Sequence, residues 1–288
     1  MKSYSQCNED LILLDFLKKT NLDRGFFFEF GAWDGIYLSN CRLLYENGLK
    51  GSYVEADKKR FEILKKNYGN DEKMKLINEF INNTNNTLDN IVKKHDIKKI
   101  DLISIDIDGH DLSVWKTLNK IKPKFVIIEF NKLIPFDVDF EDTTNQSVGS
   151  SALAIYNYAK SKDYGLIGAT SPNLIFVDNT FNNGRIKCIN FKDLYDLTVP
   201  IRIGFNQYGE ILFFEKNKIN FKEYFKLPIQ KSFITFQPIP KFIRMMTDVN
   251  GKGAKKLKII YSYIIFMLLR PNLFFLKIFS KFKNIIKK

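Results

Sequence analysis

Between residues 26 and 130 the chain alternates short apolar runs with helix-patterned segments of roughly ten residues, and this alternation limits its fold more than any other feature. Phe26–Phe30, Gly51–Glu55, Lys75–Ile81, Leu102–Ile107 and Phe125–Phe130 read as strands, and Leu38–Asn47, Lys58–Asn67, Thr87–His95 and Leu112–Asn119 as the helices between them. Strands joined through such helices form right-handed crossovers and a parallel sheet covered on both faces. A helix over Glu9–Lys19, with Asn8 as its expected cap, precedes the first strand. After a long loop, Asn131–Ser150, come a helix over Ala152–Lys162 and two strands, Gly165–Thr170 and Leu174–Val177. The turn Ser171-Pro172-Asn173 makes that last pair antiparallel. The expected architecture is a mostly parallel, seven-stranded α/β sheet ending in an antiparallel hairpin.

At 288 residues and 45% hydrophobic, the chain can build one sizeable core with an appendage. Residues 1–240 read as that domain, with a core over about 20–180 and residues 185–240 packed on it, including a small hairpin at Ile201–Phe205 and Ile211–Phe214. Residues 241–288 read as a basic, amphipathic helical tail. The formal charge of +13 is concentrated there, where Asp248 is the only acid. A basic tail mixed with apolar residues points to an anionic membrane surface, whereas nucleic-acid binding would call for basic residues over the whole domain.

Within the tail, Ile259–Leu269 is too short to span a bilayer, which takes about 20 residues, and Arg270-Pro271 interrupts it. Phe274, Phe275, Ile278, Phe279 and Phe282 then recur at helical spacing with Lys277, Lys281 and Lys283 between them. The expectation is an interfacial helix over 255–288, the alternative being a segment packed on the domain or on a second subunit. Cys7, Cys41 and Cys188 form no CxxC pair, which speaks against structural zinc and for a reducing cytosol. The opening MKSYSQCNED has no apolar run of the secretory type. The expected location is cytoplasmic, peripheral on the inner face of a membrane. The abundance of Lys, Asn, Ile and Phe suggests an AT-rich bacterial source.

The first strand runs into Glu29-Phe30-Gly31-Ala32-Trp33-Asp34-Gly35. Glycines belong where a chain turns sharply and where a ligand nears the backbone, and in open α/β sheets the ligand lies beyond the carboxyl ends of the strands. Glu55 closes the second strand, where an acid accepts hydrogen bonds from ribose hydroxyls. A nicotinamide dinucleotide would suit these features, but the G-x-G-x-x-G set that cradles its pyrophosphate is absent, since Ala32 and Trp33 follow Gly31. S-adenosylmethionine carries no pyrophosphate and does not need that set.

Ser5-Gln6 with Glu9-Asp10, then EFGAWDG followed by Leu38-Ser39-Asn40, then YVEAD, SIDIDGHD and VIIEFN, resemble the FkbM-type family of methyltransferases in order and spacing over residues 3–180. The resemblance implies a Rossmann-like class I methyltransferase fold, S-adenosylmethionine as donor, and a hydroxyl oxygen, often of a sugar or surface glycan, as acceptor. It makes Glu29, Gly31, Gly35 and Glu55 cofactor residues, puts Ser39 and Asn40 beside the cofactor, and offers Phe80 and Ile81 as flanks for the adenine.

Asp106-Ile107-Asp108-Gly109-His110-Asp111 ends the fourth strand, at the position that faces the methyl group in a class I enzyme. Asp106 is a candidate both for the cofactor and for the chemistry. Transfer to a hydroxyl needs an aligned acceptor and a route for its proton. Two routes are open: a base, for which His110 suits because imidazole titrates near neutrality, or a divalent cation. Asp108, Glu129 and Asn131, from two adjacent strand ends, could hold Mg²⁺ or Mn²⁺. Ser147, Ser150 and Ser151 are placed either to bond a polyol or to cap the next helix, and Trp33 and Trp115 to wall the pocket or fill the core. The rival reading takes Asp106-x-Asp108 as the DxD metal motif of a glycosyltransferase of surface polysaccharide synthesis, which leaves EFGAWDG and Glu55 without a role.

Overall fold

Alternate residues of each strand go to opposite faces of the sheet, and in this protein both sets find an apolar partner. The computed structural model describes residues 2–107, 109–143, 148–196, 201–205, 211–215, 252–269, 271 and 274–275. The chain divides into two units, Met1–Thr198 and Val199–Lys288.

The first unit contains β1 (Phe26–Phe30), β2 (Lys50–Val54), β3 (Met74–Ile77), β4 (Leu102–Ile105), β5 (Phe125–Glu129), β6 (Tyr164–Ala169) and β7 (Asn173–Asp178). Its helices are α1 (Glu9–Lys19), α2 (Arg42–Glu46), α3 (Lys58–Tyr68), α4 (Leu88–Lys94), α5 (Asp111–Trp115), α6 (Ala152–Ser161) and α7 (Asn179–Asn182), followed by a 3₁₀ turn at Phe191–Asp196. The strand order is β3-β2-β1-β4-β5-β7-β6. The first five strands pair in parallel, and β7 runs antiparallel to both β5 and β6. Successive crossovers therefore walk outward from β1 in one direction and from β4 in the other, so the switch point lies between β1 and β4.

Phe27, Tyr53, Leu102 and Ile127 pack with Leu13 and Leu17 of α1, Leu43 and Leu44 of α2 and Leu64 of α3 on one face. Phe28, Ile103, Val126 and Ile128 pack with Ile91 of α4, Leu112 and Trp115 of α5 and Ile155 of α6 on the other. This doubly wound arrangement is what the alternation of runs predicts.

Several element ends differ from the pattern reading, each for a local reason. Helix α2 is only five residues long because Leu38 takes a left-handed φ of 58° and the backbone of residues 39–41 is bound elsewhere. Asn8 does not cap α1 with its side chain; it is itself left-handed, at φ 66°. Strand β3 stops at Ile77 and β4 at Ile105, so Phe80, Ile81 and Asp106 stand in the following loops.

The second unit holds an antiparallel pair, β8 (Ile201–Phe205) and β9 (Ile211–Glu215), and the helix α8 (Lys252–Leu269). Among the described residues no helix is long and apolar enough to cross a membrane.

The switch point is tight. A Cβ on Gly31, at φ +66°, would meet the backbone carbonyl oxygen of Asp106 at 2.0 Å. Gly184, at φ +78°, has nothing within 4 Å of the same position. Gly31→Ala is therefore expected to cost more than about 2 kcal/mol, against about 1 kcal/mol of backbone strain alone for Gly184→Ala. Chemical denaturation of the two variants measures the difference, and equal losses would contradict the close approach.

Candidate active site

Glu29 ends β1 almost fully buried, and its carboxylate is spent on the protein. The hydroxyl of Ser39 donates to it at 2.8 Å, and the backbone N–H groups of Asn40 and Cys41 donate at 2.9 and 3.2 Å. The amide of Asn40 then donates to the hydroxyl of Ser104 on β4 at 3.1 Å. Glu29, Ser39 and Asn40 thus come together as the sequence suggests, as a staple holding the loop before α2 against the ends of β1 and β4. Burial outweighs these donors and pushes the Glu29 carboxyl up to about 7. Burial likewise raises the thiol of Cys41 and the phenol of Tyr53 beside it.

The glycine turn is shaped by a second acid. Glu55, just past β2, is also buried; one carboxylate oxygen accepts the N–H of Trp33 at 2.8 Å and the other the N–H of Asp57 at 2.7 Å. Trp33 is held left-handed at φ 51°, with the Arg60 guanidinium 4.5 Å from its ring centroid and Tyr37 edge-on at 5.2 Å. Asp34 accepts the N–H groups of Ile36 and Tyr37. Gly35 is required by the rings of Tyr53 and Tyr68 and by Leu64, which a Cβ would strike. Each Glu55 oxygen keeps a lone pair beyond the bond it accepts, which is the chemistry two ribose hydroxyls need. Phe80 stands exposed in the loop after β3, as an aromatic face for a base, while Ile81 is buried below it in the core. These residues fit S-adenosylmethionine.

The acidic segment after β4 closes on itself. Asp111, at the start of α5, accepts the N–H of Ile107 at 2.9 Å and that of Gly109 at 3.0 Å. This carboxylate is a clasp for the loop that carries Asp106 and His110. Asp108 lies outside the described residues. The carbonyl of Asp106 packs on Gly31, so this clasped loop abuts the glycine turn at the switch point.

The loop after β5 completes the wall. The Asn131 amide donates to the carbonyl of Val148 at 2.7 Å, and its oxygen accepts the N–H of Leu133 at 2.8 Å. A Cβ on Gly149 would lie 3.3 Å from Asn131 Cβ and 3.7 Å from Gly109 Cα, so the loops after β4 and β5 meet there. Asp142, which sequence reading passed over, is buried and accepts the N–H groups of Val148 and Gly149 at 2.8 and 3.0 Å. The single clue in the sequence was its place in a long loop. Ser151 caps α6 and also receives the N–H of Phe140, and Ser150 receives that of Asp142; Ser147 lies outside the described residues. Trp115 is core, edge-on to Tyr158 and Tyr164.

The N-terminal acids are anchors as well. Glu9 accepts from the N–H of Cys7, the hydroxyl of Thr170 and the amide of Asn173; Asp10 accepts from Ser3, Ser5 and the N–H of Tyr4. His95 sits at the end of α4, 3.3 Å from Glu79 and away from this wall.

Among the described residues, which do not include Asp108, no group of three or more His, Cys, Asp or Glu side chains is placed to hold an ion, and the Asn131 amide is already bonded to backbone through its nitrogen and its oxygen.

Five parallel strands closed by an antiparallel hairpin, with the glycine turn after β1 and an acid after β2, make the Rossmann-like arrangement of class I methyltransferases. Residues 76–166, which span the clasped acidic loop and β5, match the family model of the Methyltransferase FkbM domain. No curated protein matches it. Solved structures with a similar trace include a candidate caffeoyl-CoA O-methyltransferase from Staphylococcus aureus, 12% identical over 59% of this chain and 82% of that one, with a TM-score of 0.41. Another is an S-adenosylhomocysteine-bound methyltransferase from Podospora anserina, 15% identical over 62% and 79%, with a TM-score of 0.40.

A carboxyl raised in the folded state binds its proton more tightly there than in the unfolded chain. The contribution of Glu29 is therefore whole below its ordinary value of 4.5 and is lost as pH rises through about 7. Between about pH 5.5 and about pH 8 it should remove about 2 kcal/mol of stability. Urea titrations at both pH values are expected to show a flatter dependence in Glu29→Gln by that amount; parallel profiles would assign the pH dependence elsewhere.

Proposed function

We propose that the protein methylates a hydroxyl oxygen, that of a sugar in a surface glycan or glycolipid precursor, with His110 and the acids of its loop at the acceptor. The observation that supports this reading is the packing of the Asp106 carbonyl on Gly31, which brings the start of the acidic loop beside the glycine turn. S-adenosylmethionine, when bound, supplies a methyl group on a sulfonium that already contains its leaving group. The protein's task is then alignment and removal of one proton.

Glu55 would hold the ribose and Phe80 the adenine. Glu29 acts through Ser39 and Asn40 as a positioning residue. His110 takes the hydroxyl proton. Asp106 and Asp108 offset the charge that develops on the imidazole and orient the hydroxyl before transfer, and Asp111 fixes the loop so that little ordering is left for the moment of reaction. Ser150 and Ser151 are engaged in the loop, so recognition of a polyol falls to other groups of this wall. The proton route is preferred to the cation because among the described residues no group of three or more His, Cys, Asp or Glu side chains is placed to hold an ion.

Calorimetry with S-adenosylhomocysteine and turnover on a panel of glycans test this together. Glu55→Ala is expected to weaken the product complex by more than about tenfold, and unchanged affinity would remove the ribose from this acid. His110→Ala and Asp108→Asn should keep donor affinity and lose turnover by about a hundredfold or more. Full turnover in EDTA is expected; loss in EDTA that Mg²⁺ restores would reinstate the cation.

A further inference from the structure

Helix α8 carries an apolar face that is exposed among the described residues. Leu257, Ile260, Ile264, Met267 and Leu268 recur at i, i+3, i+7, i+10 and i+11, which places them in one sector roughly 100° wide. All five are exposed, Ile260 at 55% and Leu268 at 66%. The opposite side is satisfied: Phe266 is buried and meets Phe274, with ring centroids 5.9 Å apart, and Tyr263 meets the same ring at 6.3 Å. The exposed stripe is therefore a surplus surface, and a contiguous patch of this kind marks a partner.

The charge around it selects the partner. Residues 241–288 hold twelve Lys and Arg and a single acid, while the preceding residues hold thirty-three against thirty-one. Lys252, Lys255, Lys256 and Lys258 fill the first turns of α8, and Arg270 follows its last residue. A second copy of this chain would bring one such cluster against another, and stable protein interfaces are depleted in lysine. A nucleic acid would answer the charge and leave the five aliphatic side chains in water. An anionic bilayer answers both, with an acyl boundary for the stripe and headgroups for the lysines. The helix is not long and apolar enough to cross.

We infer that α8 docks the protein in the plane of an anionic lipid surface, with the face from Leu257 to Leu268 turned into the acyl boundary. Each lysine close to such a surface strengthens binding about fivefold, so a few suffice for reversible attachment.

The test is cosedimentation of the full chain with vesicles of phosphatidylcholine alone and of phosphatidylcholine mixed with phosphatidylglycerol. Pelleting with the mixed vesicles is expected, at least about tenfold stronger than with the neutral ones and weakened by salt. The double variant Ile260→Glu, Ile264→Glu should lose it by more than about tenfold while keeping the thermal unfolding profile of the unaltered chain. Because the face is already exposed, the variant removes no packing; Lys255→Glu with Lys256→Glu, a second probe, should lose the preference for the anionic vesicles. Failure of the unaltered chain to bind either vesicle overturns the inference, as does equal binding to both. Dimers in light scattering that the Ile260, Ile264 double variant dissociates, without vesicle binding, would assign the face to a second copy instead.

Discussion

A carboxylate at the end of β1 organises the cofactor side of this protein. Glu29 is buried, which raises the cost of its charge, and three donors gathered from one short loop offset part of that cost. These bonds tether the segment between the glycine turn and α2 to the sheet, where Leu38 is left-handed and helix does not extend. The bridge from Asn40 to Ser104 carries the same tether across to β4, the strand that delivers the acidic loop.

The same device recurs around the sheet mouth. Glu55 takes backbone N–H groups from both sides of β2's end, Asp111 from the loop after β4, Asp142 from the loop that folds over β5, and Asp10 from the N-terminal segment. Each acid satisfies donors that a loop would otherwise have to give to water, so loops without regular structure stay in one arrangement. A buried carboxylate bonded to backbone amides is a compact way to order a turn: Glu29, Glu55, Asp111 and Asp10 do it through both oxygens and Asp142 through one.

The sheet was legible in the sequence because its signal is redundant: Phe27 and Phe28 both had to be apolar for a strand covered on two faces, and the helices between strands repeat the same logic. The loops were less so. Nothing in a list of residues tells that Gly31 is required by the carbonyl of Asp106, seventy-five positions away, or that Gly35 is required by aromatic rings. Spacing marked both as glycines near a ligand, and the atoms that demand them belong to the protein. Asn131 reads as an ion ligand in the sequence, and nothing local foretells that its amide nitrogen and oxygen each bond backbone of the loop. Asp142 gave no sign beyond its place in a long loop, since its role depends on a closure that no local pattern encodes. Short-range pattern reveals layers, and the constraints on the site are contacts between loops far apart in the chain.

The two tryptophans of the chain sit in opposite environments. Trp115 is enclosed by Tyr158 and Tyr164 between the sheet and α6, whereas Trp33 is half-buried on the glycine turn beneath the guanidinium of Arg60. Their emission should separate accordingly, blue for the enclosed indole and redder for the one on the turn. The molecule thus contains its own pair of optical probes, one following the integrity of the core and the other the state of the loop that receives the cofactor, and neither needs a label.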